Sequence, residues 1–171
     1  MQITKDSFVV IEYSLRLDDG SFVKGENTPA SMNFIAGYGQ IFPALENGLI
    51  GLAHGAQAEL KILAREAFGE RDEGLVRTIF LSEFPAGRDL ESGRWAIARN
   101  EATGARYGYL VCEKTDSTIT VDYNHPLAGK NLNYSVKVVL VRPALAEELE
   151  FVRPCEYGQD ASNVISTTWT G

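Results

Sequence analysis

"TVDYNHPLAGKNLNYSVKVVLVR", residues 120–142, runs from a tight turn straight into strict alternation. Pro126 and Gly129 are the residues a turn uses, one with a fixed φ and one with a permissive φ. Val121, Leu127 and Leu132 around them are more apolar than a turn requires. Beyond it, Leu132, Tyr134, Val136, Val138 and Leu140 recur at every second position and Pro143 closes the run. Period two over this length predicts a strand with one buried face. His125, one of two histidines in the chain, stands in the turn. Its placement leaves two roles open, shaping the turn or facing a site.

The amino-terminal end repeats the pattern. In SFVVIEYSLRL (7–17), Val9, Ile11, Tyr13, Leu15 and Leu17 share one face, and Asp18-Asp19-Gly20 gives a hairpin signal. Phe22 and Val23 begin a return strand that GENTP (25–29) breaks. MNFI (32–35) is a short strand ending in the loop AGYGQ. In FPALENGLIGL, Pro43 suits a first helical turn, Phe42, Leu45 and Leu49 recur at helical spacing, and Gly51 or Gly55 ends the element. AQAELKIL (56–63) alternates again, and ALAEELEF reads as a final helix. From about Glu70 to Thr120 the texture changes: turn residues separate the short apolar runs LVRTIFL, RWAIA, ARYGYLVCE and STITVD. These predict a small β-rich unit, with a helical turn near VRTIFLSEF. The stretch RPCEYGQDASNVISTTWTG is polar with scattered apolar residues and is expected to be loosely docked or disordered.

Composition narrows the function classes. The chain has 171 residues, is 44% hydrophobic and 23% charged, and carries a formal net charge of -7, as expected of a globular protein whose partners are not polyanions. No apolar run nears the ~20 residues that span a bilayer, and MQITKDSFVV carries no signal-peptide progression. Cys112 and Cys155 build no disulfide framework, which predicts reduced thiols in a cytoplasmic protein. No His/Cys cluster marks a metal site. His54 follows the helix in a turn with no carboxylate or thiol neighbour in sequence and is expected at the surface; Asp18 and Asp19 are expected to serve the turn.

The order VVIEYSLRLDDG, GYGQIFPALENGLIGL, REAFGE, TVDYNHPLAGKNLNYSVKVVLVR and ALAEELE resembles the SlyD/SlpA group of FKBP-type peptidyl-prolyl isomerases over residues 1 to about 150. The resemblance implies an α+β fold, an FKBP-like antiparallel β-sheet wrapped on a short helix and interrupted after Ala67-Phe68-Gly69 by a small β-rich insert-in-flap domain. The isomerase domain would comprise 1–69 and 125–150, the insert 70–124, and a tail 151–171.

It also implies the chemistry. Rotation about a prolyl bond meets a barrier of about 18–20 kcal/mol because the amide must lose its resonance. A catalyst need only bind the twisted amide better than the planar one, so an apolar cup suffices without nucleophile, general base, cofactor or metal. By resemblance, Tyr13, Phe42, Phe68 and Tyr134 are the catalytic group, with the Phe42 backbone N–H on the substrate carbonyl. Val23, Lys24, Met32, Phe34, Ile41, Leu45, Ala67, His125 and Leu127 would bind substrate, His125 as an orienting group at the rim. Val76, Ile79, Phe80, Leu81 and Phe84 would form a chaperone surface on the insert or, equally, its own core. The partners implied are unfolded or proline-containing polypeptides, with no nucleic acid or membrane, and the chain is expected to be a monomer.

Two positions depart from the group's pattern. Phe68 stands where many relatives have tyrosine, losing a hydrogen bond worth about 0.5–1.5 kcal/mol. Ungapped alignment from Tyr13 puts Lys24 where relatives carry an acidic residue, and a slip of two would put Glu26 there. Three readings follow: an isomerase with a chaperone insert, a holdase with little turnover, or an adapter for one partner peptide.

Overall fold

The computed structural model describes residues 1–152. The stretch from residue 153 onward, with Cys155 and most of the expected tail, lies outside the described residues. Contacts divide the chain into two units, Met1–Gly69 continued from Gly129, and Glu70–Ala128.

The first unit is a five-stranded antiparallel sheet in the order β2-β1-β9-β4, with β3 also paired to β1. Its strands are β1 (Ser7–Arg16), β2 (Phe22–Lys24), β3 (Ala30–Ile35), β4 (Gln57–Ile62) and β9 (Leu132–Pro143). Alternation in β1 is complete: Val9, Ile11, Tyr13 and Leu15 are buried, and the residues between them are half-buried. Leu17 lies past the strand's end. In β9 the period breaks near the end. The register passes from Ile11↔Val138 to Val10↔Leu140, so Val139 is the extra residue of a bulge. Leu140 thereby becomes 40% exposed instead of buried. His54, at the surface as expected, donates from Nδ1 to the Val139 carbonyl at 2.7 Å and satisfies the bulge.

Helix α1 (Pro43–Leu49) begins with Pro43 after an N-cap at Phe42 and ends before Gly51, whose φ is +87°. Leu45 and Leu49 are its buried stripe. A Cβ on Gly48 would lie 2.8 Å from Leu60 Cδ2, so this glycine lets the helix settle closely on β4. Helix α2 (Ala146–Glu150) is tied back by Arg142, whose guanidinium donates to both oxygens of Glu148 at 2.8 and 2.6 Å. These bonds hold the Glu148 carboxyl down at about 2.

The second unit is a four-stranded antiparallel sheet ordered β5-β8-β7-β6, built from β5 (Val76–Phe80), β6 (Trp95–Arg99), β7 (Arg106–Lys114) and β8 (Thr118–Asp122). The helical turn expected near VRTIFLSEF falls elsewhere. VRTIF is the strand β5, and 3-10 turns flank it at Glu73–Leu75 and Pro85–Asp89. β-branched Val76, Thr78 and Ile79 favour the extended form, and Pro85 starts the later turn. Residues 125–128, expected with the host domain, group with this unit. Their turn is bonded to itself, Ala128 N–H to the His125 carbonyl at 2.9 Å.

Candidate functional site

In the first unit, register sorts the side chains into rows across one sheet face. One row runs Lys24, Leu15, Tyr134, Leu60; the next runs Ala30, Tyr13, Val136, Ala58. Tyr13 and Tyr134 are therefore diagonal neighbours, with ring centroids 5.6 Å apart. Burial raises the pKa of both phenols, and at Tyr134 the nearby Tyr13 adds to it, so both hydroxyls remain protonated donors. Lys24 lies opposite Leu15 at a bulge, half-buried, while Glu26 is exposed beyond it. Gly25 fixes that register. Its φ is +77°, and a Cβ there would stand 2.7 Å from the Tyr13 carbonyl oxygen.

Two loops bring a second aromatic pair together. Gly37 N–H donates to Glu46 Oε1 at 2.6 Å, and Ile35 N–H donates to Gln40 Oε1 at 2.7 Å, which anchors the loop leading to Phe42. After β4, the 3-10 turn Ala64–Glu66 closes with Ala67 and Gly69 N–H both bonded to the Ala64 carbonyl. This delivers Phe68 edge-on to Phe42, with centroids 5.2 Å apart and planes at 85°. Aromatic pairs favour such T-shaped contacts.

The cup residues expected in this unit divide by exposure. Phe34 and Leu45 are 2% and 1% exposed and act as core beneath the surface. Val23, Met32, Ile41, Phe42, Ala67 and Phe68 are half-buried and keep an apolar face accessible. Among the described residues no group of three or more His, Cys, Asp or Glu side chains is placed to hold a metal ion.

A family model for FKBP-type peptidyl-prolyl cis-trans isomerases matches residues 1–90. The chain is 34% identical over 150 residues to the FKBP-type peptidyl-prolyl cis-trans isomerase SlyD of Yersinia pestis, covering 88% of this chain and 76% of that protein. It is 34% identical over 149 residues to SlyD of Treponema pallidum (strain Nichols), covering 87% and 84%. To the probable FKBP-type 16 kDa isomerase of Pseudomonas fluorescens it is 33% identical over 141 residues, covering 82% and 93%.

The chain belongs to the FKBP-type peptidyl-prolyl cis-trans isomerases.

As an isomerase of this type it acts on proline-containing polypeptides, and an apolar face with a few oriented donors meets the demand of that reaction. The second unit of the isomerase carries the remaining expected residues. His125 and Leu127 lie there, half-buried, in a turn where Leu127 N–H donates to His125 Nδ1 at 3.0 Å. Burial lowers the His125 pKa, and that hydrogen bond requires the neutral ring.

The predicted chaperone residues separate. Leu81 is 5% exposed and belongs to the unit's own core with Tyr109, Val111, Ile119 and Val121; Ile79 and Phe84 pack against it. Leu81 therefore offers no surface. The cause is the turn after β5, which folds Leu81 and Phe84 inward over the buried Gly87. Val76 is half-buried, and Phe80 is 61% exposed. The register Val76↔Asp122↔Leu110↔Trp95 puts Val76, Phe80, Trp95 and Ile97 on the face away from that core. Trp95 and Ile97 are 38% and 76% exposed, and residue reading missed them. The available signal was RWAIAR itself, whose alternation sets large apolar residues against alanines.

Proposed function

We propose that this isomerase acts on unfolded or partly folded chains, with the second unit holding apolar segments and the first turning their prolyl bonds. The observation that carries the chaperone half is the outer sheet face, where Phe80, Trp95 and Ile97 stay exposed on a sheet whose other face already has a core. Large apolar side chains left exposed on a sheet face are available to hold apolar segments. The catalytic half rests on Tyr13, Tyr134, Phe42 and Phe68, with the Phe42 N–H donating to the carbonyl before proline. Val23, Met32, Ile41 and Ala67 supply the accessible wall, Phe34 and Leu45 support it, and Lys24 belongs to the binding group. The protein works as a monomer, without cofactor, in the cytoplasm, where its free, exposed Cys112 thiol is compatible with reducing conditions.

A second reading, a holdase with little turnover, is favoured by the half-buried Lys24 in the row that holds Tyr134. Catalytic amounts of the chain in a proline-limited refolding reaction separate the two. Acceleration is expected, and suppressed aggregation without acceleration would leave only the holdase. Phe80→Ser with Ile97→Ser is expected to slow catalysed refolding while sparing a short prolyl peptide. An equal loss on both substrates would remove the chaperone role from that face.

A further inference from the structure

We propose that Asn131 is a positioning residue of the isomerase, holding Phe68 against Phe42 through the 3-10 turn between them. The inference rests on Phe68 being part of the catalytic wall. Asn131 Oδ1 accepts from Ala64 N–H at 2.9 Å, and Asn131 Nδ2 donates to Asp18 Oδ2 at 2.8 Å. The backbone donor dictates which way the amide faces: oxygen toward Ala64, nitrogen toward the carboxylate. Asp18 is itself held by Asn133 Nδ2 at 3.0 Å and Lys61 Nζ at 3.2 Å. Those three donors, Asn133 first, keep its carboxyl at about 2, so it stays an acceptor throughout the working pH range. One side chain thus joins the β1–β2 hairpin, the start of β9 and the turn after β4.

The turn it holds meets Asn131 at its entrance. Ala64 N–H precedes the first turn of a three-residue 3-10 helix, where backbone donors have no helical partner. The Ala64 carbonyl then receives both Ala67 and Gly69 N–H, at 3.1 and 2.8 Å. The Gly69 carbonyl receives Gly129 N–H at 2.8 Å. Phe68 therefore lies between two backbone anchors, and Asn131 secures the first of them. Losing the amide releases Ala64 and lets Phe68 swing off the Phe42 edge. In a preorganised site, a shift of about 1 Å can cost rate without any contact between the mutated residue and substrate.

A double-mutant cycle on the full chain tests this, using a short prolyl peptide as substrate and thermal midpoint as a parallel readout. Asn131→Ala is expected to lower kcat/KM about 3- to 10-fold, the range of one hydrogen bond. In the Phe68→Ala background the same change is expected to cost less than 2-fold, while its effect on the thermal midpoint is the same in both backgrounds. The exchange Asp18→Asn with Asn131→Asp rebuilds the bond with its polarity reversed and is expected to restore at least half of the activity. If Asn131→Ala does not fold, this exchange is compared with Asn131→Asp alone, which sets two carboxylates together and is expected to be the weaker enzyme. An equal kinetic penalty in both backgrounds, or failure of the exchange to restore activity, overturns the positioning role and leaves Phe68 in the site. An inactive-site result, Phe68→Ala with full kcat/KM, removes Phe68 from the wall and overturns the positioning role with it.

Discussion

Lys24 stands opposite Leu15 in the row that continues to Tyr134, so its ammonium shares a face with a buried phenol. An ammonium there cannot accept from a tyrosine hydroxyl, whereas a carboxylate can, and would orient it. Lys24→Asp is accordingly expected to raise kcat/KM on a short prolyl peptide by about 2- to 12-fold, equivalent to one hydrogen bond of roughly 0.5–1.5 kcal/mol. A protease-coupled peptide assay reads this directly, and an unchanged value would place Lys24 outside the binding group. Gly25 next to it is constrained from two sides. Its φ of +77° is costly for a side chain, and an added Cβ would meet the backbone of Tyr13 and Ser14 at 2.7 and 2.8 Å. Because those atoms cannot rotate away, Gly25→Ala should destabilise by more than the ~1 kcal/mol that a strained φ alone costs. Denaturant titration measures that loss.

At the scale of elements, the turn that carries His125 is built around a neutral imidazole. Leu127 N–H donates to Nδ1, and burial holds the ring's pKa below its ordinary 6.5. A depressed folded value means that the unfolded chain binds the proton first. The stabilisation is complete above about pH 6.5 and is lost as pH falls toward the lower folded value. Amide exchange at Leu127 is thus expected to quicken as pH falls below about 6.5, after correction for intrinsic rates. His125→Asn keeps a side-chain acceptor and is expected to remove that dependence; a dependence that survives would assign it to another group. This turn also shows how far sequence reading reaches. Pro126 and Gly129 announce the turn and alternation announces β9, because both signals are local. The bulge at Val139 is not local: it appears only when β9 is paired with β1, and it exposes Leu140. Whether Leu81 served surface or core stayed open in the sequence for the same kind of reason, since the chain must first fold back through Pro85–Asp89 to cover it. Asp18 read as a turn residue because its partners Lys61, Asn131 and Asn133 are distant in sequence.

At the scale of the molecule, the two units differ in what holds them. The first has Ile3, Val9, Ile11, Leu45, Leu49, Leu132 and Val138 essentially inaccessible. The second has a core of five buried side chains, Leu81, Tyr109, Val111, Ile119 and Val121. A small core leaves little margin over chain entropy, and polar bonds at the ends of the segment become decisive. Asp122, 4% exposed, accepts from Arg71 at 2.6 Å and from Asn124 N–H and Nδ2, both at 2.8 Å. Asn124 closes the clamp by bonding both the N–H and the carbonyl of Asp72, at 2.9 and 2.8 Å. Burial alone would push the Asp122 carboxyl up, but the bonds from Asn124 and the Arg71 charge outweigh it and leave it below 3.8. The sign is then that of a depressed acid: the stabilisation is present above the ordinary carboxylate value and disappears as pH falls through the lower folded one. Asp122→Ala removes the acceptor at every pH and leaves buried donors unmet, at about 1–3 kcal/mol. Hydrogen exchange resolved by residue is expected to show the Val111, Ile119 and Val121 amides exchanging about 5- to 150-fold faster in this variant, while Ile11 and Val138 keep their rates. The same second-unit amides are expected to lose protection first when the unsubstituted chain is acidified. Equal acceleration in both units would mean that they unfold as one body and that the clamp secures the whole chain.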